Sequence, residues 1–163
     1  MLLTGDGANG VQNNTFVDSS TNNFSITRNG NTTQGSFSPY GNNWGNYFNG
    51  SSDYLTCTGQ SIAGEFTMEG WFYYTANSFP MPLFGVTTSG GGYLLIPSSG
   101  TIAWVLRDSG TQLYTGYSFS PNTWYHIAVT RNSSNLLTVW VNGVAISSNT
   151  QTTTYASDRK STR

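Results

Sequence analysis

The stretch Asn122–Ile146, "NTWYHIAVTRNSSNLLTVWVNGVAI", decides the fold. Tyr125, Ile127 and Val129 alternate with Trp124, His126 and Ala128, and a period of two puts successive side chains on opposite faces of a strand. The polar knot "RNSSN" separates this run from a second, "LLTVWV", and Asn142-Gly143 stands before a third. Asn-Gly suits a two-residue type I′ turn because both central residues there need positive φ. Two strands and the start of a third therefore lie close in sequence. The segment also holds the only histidine of the chain, so it is either a site or a frame. His126 has no second histidine and no thiolate cluster to join in a metal site. Its place within a strand, between Tyr125 and Ile127, reads as a packed or hydrogen-bonded core residue.

Further strands lie upstream. "NFSITRNGN" alternates and ends in an Asn-Gly turn; "DYLTC" is short; "EFTMEGWFYY" sets Phe66, Met68, Gly70 and Phe72 against Thr67, Glu69, Trp71 and Tyr73. "PLFGV", "YLLI" and "TIAWVLRD" follow, separated by Gly/Ser-rich turns, while Asn42 to Gly50, "NNWGNYFNG", reads as a loop with aromatic anchors. No window shows a helical period. Short strands at this spacing indicate an all-β, two-sheet antiparallel jelly-roll sandwich rather than alternating β/α units.

Composition narrows the function. The 163 residues are about one domain in size, and only 8% are charged against about 25% in an average soluble protein. With a net charge of −1 there is no electrostatic footprint for nucleic acid or an anionic membrane surface. No apolar run approaches the roughly 20 residues of a membrane helix, and "MLLTGDGANG" lacks the basic segment of a secretory signal. One cysteine, Cys57, leaves no internal disulfide and no CxxC metal site. The polarity comes from Asn, Thr, Ser and Gly, a surface suited to adhesins, secreted modules and virion proteins.

Three kinds of residue can carry chemistry. Glu65 and Glu69 are the only glutamates and lie four apart, and paired carboxylates are how glycosidases divide acid and nucleophile roles. Asp18, in "FVDSSTNN", and Asp6, in "TGDGANG", sit among hard oxygen donors of the kind calcium takes; the competing reading is a turn residue bonding its own backbone. The aromatics, Trp44, Tyr47, Tyr73, Tyr74, Tyr93, Trp104, Tyr114 and Tyr117 among them, exceed the needs of strand cores. Some are expected to be exposed as sugar-stacking platforms with an apolar face and a polar edge.

"EFTMEGWFYYT" followed by "TWYHIAVTRNSSNLLTVWVNGVAI" resembles the laminin G-like modules of the concanavalin A-like lectin/glucanase superfamily. That pattern has a Phe-Thr-apolar-Glu-small-Trp strand, matched by Phe66–Trp71, then Trp124–Arg131 and the hairpin Val139–Gly143. The N-terminal stretch from Phe16 resembles the openings of such modules in virion and tail proteins of marine tailed phages. Laminarinase-type hydrolases of the superfamily carry Glu-x-Asp-x-Glu, and here Thr67 replaces the central Asp, which weighs against an enzyme. The resemblance implies a non-catalytic carbohydrate-binding and adhesion module on a virion or extracellular surface. It would contact host-surface polysaccharide and sit beside other domains of a larger virion protein. A structural spacer without ligand is the alternative. Glu69, Tyr73, Trp104 and Arg107 are the candidate carbohydrate-binding residues, and Asp18 the candidate calcium ligand. Residues 1–157 are expected to form one domain that lacks the superfamily's final strands, and residues 158–163 a disordered basic tail.

Overall fold

The computed structural model describes residues 1–3, 15–41, 44–57, 62, 64–75, 79–86, 91–106, 110–152 and 160–162. Among them are thirteen strands and no helix. In chain order they are β1 (Ile26–Asn29), β2 (Thr33–Gly35), β3 (Gly45–Tyr47), β4 (Tyr54–Cys57), β5 (Phe66–Phe72), β6 (Met81–Val86) and β7 (Gly92–Ser98). Then come β8 (Thr101–Leu106), β9 (Gly110–Gly116), β10 (Tyr125–Arg131), β11 (Leu136–Val141), β12 (Val144–Thr150) and β13 (Lys160–Thr162).

One sheet has seven strands in the order β1-β4-β13-β6-β7-β8-β9, a second has four in the order β12-β11-β10-β5, and β2-β3 is a separate ribbon. Every pairing among them is antiparallel. Period-two patterning explains the layers. Met68, Ile127, Val129, Leu137, Val139 and Val141 face inward from the four-stranded sheet, and Leu94, Ile96, Ile102, Trp104, Leu106 and Leu113 meet them from the larger one. Ile127, Val129 and Trp104 are 0% exposed. Each such side chain stabilises the fold by about 1.5–3 kcal/mol through burial alone. This is a two-sheet antiparallel sandwich, as the alternation predicts.

The turns of the deciding stretch form as expected. Asn142 and Gly143 have φ of 51° and 78°. The Asn142 side-chain oxygen accepts from the His126 amide at 2.9 Å, while its own amide donates to the His126 carbonyl at 2.8 Å. In the "RNSSN" knot, Asn132 Oδ1 accepts from the amides of Ser134 and Leu136, so a side chain does the work of a backbone turn.

Two expectations are corrected and one further strand is added. The stretch Asn42–Gly50 is not wholly a loop, because Gly45–Tyr47 pairs with β2 in the register Gln34↔Asn46; Tyr47 is 64% exposed and anchors nothing. Gly110–Gly116 forms β9, a strand hidden in sequence because Gly, Thr and Gln dilute its alternation. Residues 160–162 are no disordered tail: they pair with β4 on one side and β6 on the other. Between those strands lie two facing rows of backbone donors and acceptors, and a backbone ladder demands no apolar side chain of whatever fills it. A late strand thus fills the ladder between β4 and β6.

Candidate glycan-binding platform

The outer face of the four-stranded sheet is built from the positions that alternate with the core. Cross-strand register places His126 beside Trp71 and Ala128 beside Glu69 on β5, and Ala128 beside Trp140 on β11. Facing pairs in an antiparallel sheet bring their Cβ atoms to about 5 Å, so these side chains meet. The rings of Trp71 and His126 are 5.3 Å apart. His126 Nε2 lies 3.6 Å from a Glu69 carboxylate oxygen, with 29% and 59% of the two side chains exposed. That distance is too long for a hydrogen bond, which leaves both polar heads with capacity for a ligand.

Ala128 explains the next feature. The Trp140 indole N–H reaches over to β10 to donate to Thr130 Oγ at 2.9 Å, and Ala128 is only 6% exposed although its parity is outward. A methyl group at that position gives the neighbouring indole room to lean over the strand; a larger residue would lift it.

A strap upstream of β3 completes the platform. Phe37 stacks on Trp124 at 5.2 Å and meets Tyr73 edge-on at 4.7 Å. Tyr40 stands at 85° to Trp71 with ring centroids 5.6 Å apart. Edge-to-face pairs of this kind are favoured by the ring quadrupoles. The strap passes close to Gly45, where an added Cβ would collide with the Phe37 carbonyl oxygen. Tyr40 is 58% exposed and Trp71 40%. Two wet aromatic rings at a right angle thus form a corner, and Glu69 and His126 stand beside it.

The predicted residues divide. Glu69 and Tyr73 lie on this platform, the Tyr73 hydroxyl 3.3 Å from Asn122 Oδ1. Trp104 does not: it shares parity with Ile102 and Leu106, points between the sheets and packs on Phe66 at 5.9 Å. Buried there, it has no face for a sugar. Arg107 and Asp6 lie outside the described residues. Trp71, Trp140, Tyr40 and His126 also stand on this face, though the sequence reading did not single them out for it. For the first two and for His126 the signal was in the alternation, since each shares parity with an outward neighbour. Tyr40 had none, because the strap's path is a tertiary fact. His126 is corrected from a core residue to an outward-facing one.

Asp18 is also corrected. Its Oδ1 accepts from the amides of Leu2 and Ser20, and its Oδ2 from the Ser20 hydroxyl and the Phe24 amide, at 2.7–3.0 Å. Burial pushes its pKa up, but these four donors outweigh that and hold the carboxyl well below the usual carboxylate range. A cation there would meet the positive ends of four donor dipoles, so the residue does not fit a calcium ligand. It ties the N-terminal segment to its own turn. Among the described residues, no three His, Cys, Asp or Glu side chains gather in one place.

Glu65 precedes β5 and is exposed.

A sandwich of two antiparallel sheets carrying aromatic and polar side chains on a sheet's outer face defines a lectin-like β-sandwich module. The chain belongs to the concanavalin A-like lectin/glucanases superfamily, whose laminin G-like family model matches residues 49–162. Among solved structures it resembles botulinum neurotoxin type C, a protein whose cell entry is dependent upon interaction with two ganglioside molecules. The TM-score is 0.69 at 17% identity, over 99% of this chain and 42% of that one. The serotype G binding domain aligns with a TM-score of 0.72 at 14% identity, over 99% and 42%. The type DC binding domain, in complex with rat synaptotagmin II, gives 0.70 at 15% identity, over 99% and 43%. These likenesses establish the fold. The chain spans about two-fifths of the structures it matches. No curated protein matches the sequence.

Proposed function

We propose that this chain is a non-catalytic carbohydrate-binding and adhesion module that holds glycan on the outer face of its four-stranded sheet. The observation that carries the proposal is the exposed corner of Tyr40 and Trp71 with Glu69 and His126 beside it. A sugar ring has an apolar face that stacks on an indole and a rim of hydroxyls that bond to a carboxylate and an imidazole. Membership of a lectin/glucanase superfamily supports the reading, as does likeness to binding domains, one of them from a toxin that engages gangliosides. The setting we propose is a virion or extracellular surface, with the module beside other domains of a larger virion protein and turned toward host-surface polysaccharide. This part rests on the resemblance of the N-terminal stretch to tailed-phage modules.

A second reading, a spacer without ligand, is favoured by one observation: Trp104, Tyr117 and Tyr74 are spent on the core. A glycan array probed with the wild-type protein and with Trp71→Ala, each with and without chelator, separates the two. Wild-type binding that falls tenfold or more in the variant supports the lectin. No binding by a protein shown to be folded establishes the spacer. Binding abolished by chelator would restore a calcium role, at residues other than Asp18. Incubation with a bound oligosaccharide is expected to leave it unshortened.

A further inference from the structure

We infer that the platform selects uncharged glycans and discriminates against sialylated, uronic or sulfated ones. The inference rests on the reading that this face binds glycan, and it goes on to name the ligand class. Glu69 is the formally charged residue that β5, β10 and β11 turn to this face, and Glu65, just before β5, is acidic too. The strap from Ser36 to Gly41 and strand β12 contain no charged residue. The cations among the described residues lie elsewhere. Arg28 is on β1 and Lys160 on β13, both in the other sheet. Arg131, at the end of β10, shares parity with the inward-facing Ile127 and Val129 and is 5% exposed.

Recognition of an acidic sugar ordinarily uses a guanidinium or ammonium group, which pairs with a carboxylate or sulfate through charge-assisted bonds. Here an acidic substituent on a ring stacked in the Tyr40–Trp71 corner would approach Glu69 instead. Two like charges about 4 Å apart repel enough, even at the dielectric of water, to weaken binding about fivefold, and by more where water is displaced. Neutral hydroxyls face no such penalty. They donate to the Glu69 carboxylate, and the His126 imidazole offers a second polar partner 3.6 Å away. Gangliosides carry sialic acid, so the ligand class inferred here differs from that of the type C neurotoxin.

The test is calorimetric or surface-based titration of the wild-type protein, Glu69→Gln and Trp71→Ala. The probes are matched oligosaccharides: neutral hexose oligomers, and the same oligomers capped with sialic acid or sulfate. The wild type is expected to prefer the neutral member about fivefold or more at 0.1 M salt. That margin should shrink at 1 M salt, where the screening length falls to about 3 Å. Glu69→Gln should narrow the preference, and Trp71→Ala should weaken binding of both members. Equal or tighter binding of the acidic member by the wild type overturns the inference and leaves glycan binding standing. A preference undiminished in Glu69→Gln overturns the role of that carboxylate. Failure to bind any glycan removes the underlying reading as well.

Discussion

At the scale of single residues, parity decides fate. Ile127 and His126 are neighbours in the chain, yet one is sealed between the sheets and the other faces water. Ile127→Ala is therefore expected to cost about 2–5 kcal/mol, measurable by denaturant titration. A loss under 1 kcal/mol would mean that the core collapses around the gap. Ala128→Leu should destabilise by about 1–3 kcal/mol through overpacking beneath Trp140, and the shift would show in indole fluorescence. Asp18 supplies a pH test. Its folded-state pKa is depressed, so it stabilises the fold above the ordinary Asp value of about 3.9 and that contribution is lost as pH falls below it. Asp18→Asn should lower the melting temperature at pH 7 and flatten its decline between about pH 5 and 2; an unchanged acid profile would show that other carboxylates govern it. The two faces of the Tyr125–Arg131 strand were legible because alternation is a local property. The environment of His126 was not, since a residue known to point away from its neighbours can still be covered by something distant in sequence.

At the scale of elements, the strap and its support are the sensitive parts. Gly45 admits the Phe37 carbonyl oxygen to a distance no side chain would permit. Gly45→Ala is expected to displace Phe37 and Tyr40 from Trp124 and Trp71, weakening glycan binding severalfold while the sandwich keeps its cooperative melt. Loss of the melt itself would show that the ribbon belongs to the folding unit. Strands with strong alternation, such as Phe66–Phe72 and Leu136–Val141, could be read directly. β2 and β3 could not, because three residues each, with glycines at Gly35 and Gly45, give too little pattern. β13 escaped for a different reason: its place is set by a vacancy between two other strands rather than by its own side chains.

At the scale of the whole molecule, the seven-stranded sheet depends on a strand supplied from the far end of the chain, flanked on both sides by segments that precede it by many residues. Ending the chain at residue 157 would open two edges, and exposed edges recruit other chains. The shortened protein is expected to melt lower and to self-associate in sedimentation, whereas a monomer of unchanged stability would show that β4 and β6 close on each other. The platform has a different dependence. Phe37 and Tyr40 lie before residue 49, where the match to the superfamily model begins. Their segment, Ser36 to Gly41, runs between β2 and β3 and belongs to no strand of either large sheet. Exchanging those six residues therefore touches no ladder of either sheet, much as a tool keeps its handle and changes its bit.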